Sequence, residues 1–167
     1  MQEELYCHKI YLSCTGNEKI NLDGVLDEKV WDQANSADNF WQYFPSDSIK
    51  SFNKTEVKLL YNDTHIFIGG TAYSKNPNFV VNSLKRDYSS RNNDNISIIF
   101  ETFNDGQNGF LFGVNAYGVQ REALVTDRGT GPGGFNLNWD IKWQAKHKRY
   151  DDRYVIELSL IHISEPT

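Results

Sequence analysis

The chain has 167 residues, 39% of them hydrophobic and 14% aromatic, with a formal net charge of −5. That is long enough to bury a core without disulfides or metals. The acidic balance and the lack of any Lys/Arg cluster exclude a nucleic-acid-tracking surface. No apolar run approaches the roughly 18 residues of a membrane helix.

In chain order, the opening "MQEELYCHKIYLSC" lacks the basic-then-apolar layout of a secretory signal. Either the protein is cytoplasmic or a targeting segment lies outside this sequence. Its "KIYLS" reads as a first strand. Cys7 and Cys14 are the only cysteines, too few for a disulfide framework, and read as two half-buried thiols. The stretch "INLDGVLDEKVWDQA" holds an acidic cluster that invites a ligand-site reading, but its pattern is architectural. Asp23-Gly24 forms a turn, Asp27 caps a short helix with Glu28 in its first turn, and Trp31 plugs the core.

Alternation then dominates. "TEVKLLYND" sets Val57, Leu59 and Tyr61 on one face, and "HIFIGGTAYS" follows after a turn at Asn62-Asp63-Thr64. "NPNFVVNSLKRD" has room for a helical turn near Val80 to Leu84. "NISIIFETF", "GFLFGVNAYG", "VQREALVT", "WDIKWQAKH" and "RYVIELSLI" continue the strands, with Trp143 on the apolar face of its own. About eight strands at short, regular spacing predict an all-β fold, an antiparallel β-sandwich of jelly-roll or immunoglobulin-like type with one or two short helices. No linker divides the chain, so residues 1–161 are expected to form a single module.

Three irregular stretches, 41–54, 85–95 and 126–139, are the places for function on such a scaffold. "GTGPGG" lacks the Lys-Ser/Thr and the helix start that a phosphate loop needs, so it reads as a surface loop. "NDGQNG" reads as a tight hairpin rather than a calcium loop, because its acids miss the EF-hand positions. No nucleophile–base motif or zinc-protease motif is present, and the four histidines lack partners in the pattern. Met1 is the single methionine, so Met/His haem ligation has no ligand to use.

The aromatic residues carry more information. Trp41, Tyr43, Phe44, Tyr88, Phe135 and Trp139 fall in or beside the irregular stretches. Sugar rings present C–H faces to such side chains, and their hydroxyls need partners such as Arg86, Asp87, Arg91, Asn93, Asp94 or Gln42. Trp143 is expected in the core, whereas the pattern leaves Trp139 open between core and binding surface.

Together, "INLDGVLDEKVWDQA", "TEVKLLYND", "IFIGGTAY", "LKRDYSSRNNDNISIIFETFNDGQNGFLFGVNAYGVQ" and "NWDIKWQAKHKRYDDRYVIELSLI" resemble the family 9 carbohydrate-binding module. The variant most similar is the N-terminal domain of large bacterial proteins that continue into an outer-membrane-type barrel. The resemblance runs from about residue 8 to residue 161, and the order and spacing of the short motifs carry it. It implies a non-enzymatic sugar-binding sandwich, accessory to a polysaccharide-related secreted or outer-membrane protein. Xylanase-attached members hold a sugar between two tryptophans and carry structural calcium, which leaves calcium open here; no other cofactor is implied. By the same resemblance Trp139 matches a binding aromatic, Trp41 a second one, and Arg86 and Asp94, with Asn93, the polar contacts. The implied partners are an oligo- or polysaccharide and the remainder of its own polypeptide, and the location is extracytoplasmic. Two departures stand out: Arg121-Glu122 follows "GVQ" where an Asp is expected, and the chain ends "HISEPT" instead of completing the family's last strand. Residues 162–167 are therefore expected to be a non-native or truncated tail. Two other functions remain: a structural module docking on its own chain without sugar, and a fragment of a glycoside hydrolase.

Overall fold

A computed structural model of the chain describes residues 4–6, 12–16, 18–44, 49–75 and 78–161. Cys7, the start of the "KIYLS" strand and the 162–167 tail lie outside the described residues. The chain divides into two compact units, residues 1–78 with 143–167, and residues 79–142.

The first unit is built on β-strands β1 (Glu4–Tyr6), β2 (Leu12–Cys14), β3 (Ser36–Ala37), β4 (Trp41–Phe44), β5 (Thr55–Tyr61) and β6 (His65–Tyr73). It ends, after the second unit, with a long hairpin described below. Its α-helix α1 (Lys29–Gln33) is one short turn and the sole α-helix among the described residues. The second unit holds β7 (Asn95–Phe100), β8 (Gly109–Asn115), β9 (Gln120–Val125) and β10 (Phe135–Asn136). The chain then returns to the first unit through β11 (Gln144–Arg149) and β12 (Arg153–Ile161). The architecture is all-β, as expected. Strands β11-β12-β6-β5-β2 form one sheet with β3 also on β5, β10-β9-β8-β7 form another, and β1 pairs with β4. One pairing departs from the antiparallel expectation: β2 runs parallel to β5.

In the first unit, register explains why "INLDGVLDEKVWDQA" is architecture. Lys58, Gly69 and Glu157 lie opposite one another on β5, β6 and β12, so they share one face. A Cβ on Gly69 would sit 2.8 Å from the Leu26 side chain and 3.0 Å from the Trp31 ring. Gly69 of "HIFIGGTAY" thus opens the space that Trp31 fills. Trp31 is fully buried with Val30, Ala34, Leu60 and Phe67, and Ile20 and Leu26 pack on the cluster. Lys58 Nζ donates to the Trp31 carbonyl at 2.6 Å. Truncating a buried tryptophan of this kind costs about 3–5 kcal/mol.

Glu157 holds the turn. Its Oε2 accepts from the Asp23 N–H at 2.9 Å and the Gly24 N–H at 3.0 Å, while Asp23 Oδ1 accepts from Val25 N at 2.9 Å. Gly24 has φ +87° and its Cα faces the His147 backbone so closely that a Cβ would lie 2.7 Å from it. Only glycine meets both demands. Glu157 is fully buried and its Oε1 has no partner. Burial pushes its carboxyl up to about 7; the two N–H bonds pull down and the charges of Glu28 and Asp23 push up.

Several sequence expectations are corrected. Asp27 is not the helix cap: Glu28 occupies that position, without a side-chain cap bond, because its Oε1 instead accepts from Asn21 N at 2.8 Å. Residues Val80 to Leu84 form no helical turn; Val81 makes a lone bridge to Asn93, and the Asp94 and Asn93 side chains hold the segment extended. Cys14 is exposed rather than half-buried, because it ends an edge strand. Residues 139–143 are irregular, and the strand begins only at Gln144. Trp143 is buried, as its alternation predicts.

The "NDGQNG" stretch is the β7–β8 hairpin turn. Asn104 and Gly106 take positive φ, and Asp105 Oδ1 accepts from Asn108 N at 2.8 Å and Gln107 N at 2.7 Å. The bonds from Asn108, then Gln107, hold the Asp105 carboxyl below its ordinary value. Among the described residues no group of three or more His, Cys, Asp or Glu is placed to hold a metal ion, and no helix is long and apolar enough to cross a membrane.

Candidate functional site

The second unit brings chemistry-bearing residues together on one face of its four-stranded sheet. Strand register puts Ile98, Phe112 and Glu122 in one row, and Phe100, Phe110 and Leu124 in the next. Two segments outside the strands cover this face. One carries Arg86 and the other carries Trp139 and Asp140.

Trp139 is half-buried. Its ring lies 5.0 Å from Phe110, tilted by 31°, and 6.0 Å from Phe112, edge-on at 67°. Phe103 extends the row 5.7 Å from Phe110, with 56% of its surface exposed. The result is a step of aromatic rings, buried at Phe112 and open at Phe103.

Arg86 stands beside this step. Its Nε donates to Glu122 Oε1 at 2.9 Å and its Nη2 donates to the same oxygen. Nη1 donates to Gln120 Oε1 at 3.1 Å, and Nη2 also reaches Asp140 Oδ1 at 3.4 Å. Glu122 is 1% exposed and Asp140 83%, so the guanidinium spans from a buried carboxylate to the surface. Burial alone pulls Arg86 down; the hydrogen bond and charge of Glu122, with Asp140 and Asp87, more than offset this, and the guanidinium stays above its ordinary value. A planar fork braced in this way keeps its direction, which is what recognition of a hydroxyl pair requires.

Asp87 explains how Arg86 reaches this face. It is a non-glycine residue at φ +59°, and its Oδ1 accepts from Glu122 N at 3.2 Å. Its N–H donates to the Gln120 carbonyl at 3.1 Å. In extended backbone, residues 86 and 88 would point the same way. The left-handed residue between them sends Arg86 to the Glu122 face and Tyr88 to the opposite one.

The sequence-predicted residues divide. Arg86 and Trp139 come together, linked by Asp140. Asn93 is 2% exposed and serves the scaffold: its Oδ1 accepts from Asn82 N at 2.9 Å and Ser83 N at 3.2 Å, and its Nδ2 donates to the Ser89 carbonyl at 2.8 Å. Asp94 is likewise spent locally, Oδ2 accepting from Val80 N at 2.7 Å. Both side chains staple their own loop, and Asn93, buried and bonded through both its oxygen and its nitrogen, is the more fully used of the two. Trp41 belongs to the first unit, half-buried on β4, with Lys50 Nζ 5.9 Å above its ring. Glu122, Gln120 and Asp140 are the residues that sequence reasoning missed. The signal was present: Arg121-Glu122 places two charges in mid-strand, a pattern that demands partners once buried.

The fold is similar to that of solved family 9 carbohydrate-binding modules. A structure of such a module from Caldicellulosiruptor kristjanssonii in complex with cellotriose matches with a TM-score of 0.61 at 16% identity, over 95% of this chain and 70% of that one. A structure described as such a module from the same organism in complex with glucose matches with a TM-score of 0.61 at 16% identity, over 94% of this chain and 72% of that one. No family model matches the sequence, and no curated protein matches it.

Proposed function

We propose that this chain is a non-catalytic carbohydrate-binding module, and that it holds a glucan-type sugar on the Trp139 step with Arg86 and Asp140 taking its hydroxyls. The single observation that carries the reading is the braced guanidinium beside a half-buried tryptophan. The indole offers an apolar face for the C–H side of a pyranose. Arg86 donates and Asp140 accepts at its edge, which matches the donor–acceptor character of vicinal hydroxyls. The two solved modules of this fold, with cellotriose in one and glucose in the other, support the class of ligand.

The site does not favour glycoside hydrolysis. Its two carboxylates, Glu122 and Asp140, bond to the same Arg86 nitrogen. They anchor one cation rather than flank a scissile bond as a catalytic acid and its partner must. A polysaccharide ligand carries an extracytoplasmic location with it. Titration with xylo- and cello-oligosaccharides, followed by tryptophan fluorescence, tests the reading. Quenching or enhancement that saturates, lost in Arg86→Ala, supports it; no change at about 10 mM sugar, a limit near −3 kcal/mol, refutes it.

A further inference from the structure

The opposite face of the same sheet carries a second group of polar side chains that the sugar site does not use. Register sets Ser97, Gly113 and Arg121 side by side on β7, β8 and β9. The Tyr88 hydroxyl stands over them, 3.6 Å from where a Gly113 Cβ would be. Arg121 is 8% exposed and Tyr88 3% exposed. Arg121 Nε and Tyr88 Oη are both sealed from solvent without a hydrogen bond. Among the described residues no ion pair reaches Arg121.

A buried guanidinium with no carboxylate in ion-pair contact is expensive, and here the charge of Asp87 acts on it only from a distance. Asp87 and Glu122 are its acidic neighbours, and neither makes an ion pair with it. Asp87 spends Oδ1 on the Glu122 N–H, and Glu122 lies on the other face with Arg86. Burial lowers Arg121 and raises Tyr88 from their ordinary values, yet at neutral pH the guanidinium keeps its charge and the phenol its proton. The pair is therefore one cation and one neutral O–H donor on the same face of the sheet. An aromatic wall completes it: the Phe135 ring lies 5.9 Å from the Arg121 guanidinium and is 40% exposed. Phe135 is seated by Gly129, where a Cβ would lie 2.5 Å from the ring.

We infer that Arg121, Tyr88 and Phe135 form a second binding site, for a carboxylate carried on a sugar ring, that is, a uronic acid residue. The guanidinium fork fits a carboxylate in a bidentate manner, the phenol adds one donor, and Phe135 supplies the stacking face for the ring. Neutral sugars offer nothing that compensates the buried charge. The site does not depend on Trp139, so it stands or falls apart from the sugar reading above.

The test is a set of proton–nitrogen NMR titrations of the whole chain with sodium glucuronate, glucose, sodium propionate and sodium chloride at equal ionic strength. Glucuronate is expected to shift the amides of Tyr88, Gly113 and Arg121 and the Arg121 Nε–H with a dissociation constant in the millimolar range or below. Tyr88→Phe, which keeps the ring and the fold, is expected to weaken glucuronate binding about 3- to 10-fold and to leave glucose-induced shifts at Trp139 unchanged. Arg121→Gln is expected to abolish the glucuronate shifts. Equal shifts from propionate would reassign the site to simple carboxylates and overturn the acidic-sugar inference. Equal shifts from chloride, or none from glucuronate at about 20 mM, would overturn the site itself.

Discussion

Glu157→Gln isolates one buried carboxyl and its effect on stability. Glu157 is fully buried, and burial raises its carboxyl from 4.5 to about 7. The folded chain therefore holds a proton that the unfolded chain releases. The stability this contributes is complete below pH 4.5 and is lost as pH rises through about 7. Between pH 5 and pH 8 the loss is about 2–3 kcal/mol, taking about 1.4 kcal/mol per pKa unit and allowing for partial titration at both ends. For a chain of this length that corresponds to a fall of about 5–10 °C in melting temperature. Glutamine keeps an oxygen for the Asp23 and Gly24 N–H groups but cannot ionise. Differential scanning calorimetry of both proteins from pH 5 to pH 8 gives the difference profile directly. Subtraction removes His147, whose pKa burial lowers, with Arg149 assisting, and which acts in the opposite sense. The wild type is expected to lose stability relative to Glu157→Gln across that window. Parallel profiles would refute the reasoning, because they would mean that Glu157 is charged in the fold at both ends of the range.

Other substitutions probe separate links. Trp31→Ala is expected to cost about 3–5 kcal/mol in urea unfolding, since its cluster cannot close over a space that Gly69 leaves open. Gly24→Ala combines a positive φ with a backbone clash at His147 and is expected to lower stability by about 2 kcal/mol or more in the same assay. Asn93→Ala strands the Asn82 and Ser83 N–H groups and is expected to cost about 2–3 kcal/mol, measured as a lower melting temperature. Trp139→Ala is expected to stay folded, losing about 1–2 kcal/mol of ring contact with Phe110 and Phe112 while sugar binding disappears. Unfolding of that variant would place Trp139 in the core instead.

Period-two alternation made β5, β6, β8, β9 and β12 legible, because each strand's faces differ enough in polarity to mark it. Trp31 was legible for a related reason: a large ring beside a turn and a short helix has few places to go. What alternation does not show is which polar position is covered. Glu157 occupies a polar slot in "VIELSLI", yet both faces of β12 are buried, and the Asp23-Gly24 turn that covers it lies 133 residues away from it in the chain. The candidate site was legible by halves. Arg86 and Trp139 stood out as polar and aromatic residues in loops, whereas Glu122 and Asp140 became partners only through tertiary folding. Asn93 and Asp94 carry loop-stapling roles that the sequence does not show. In a loop sequence they look free, but loops of this length need side-chain acceptors for their own N–H groups. The helical turn expected near Val80 failed on the same account, since Asn93 and Asp94 offered its backbone an extended alternative.

The most direct measurement is a titration of nitrogen-15-labelled protein with cellotriose, following the Trp139 indole N–H and the Arg86 Nε–H. The account predicts saturable shifts in both signals, and loss of the Arg86 shift in Trp139→Ala while that variant keeps its folded spectrum. A cellotriose response confined to other residues, or no response from a folded chain, would contradict it.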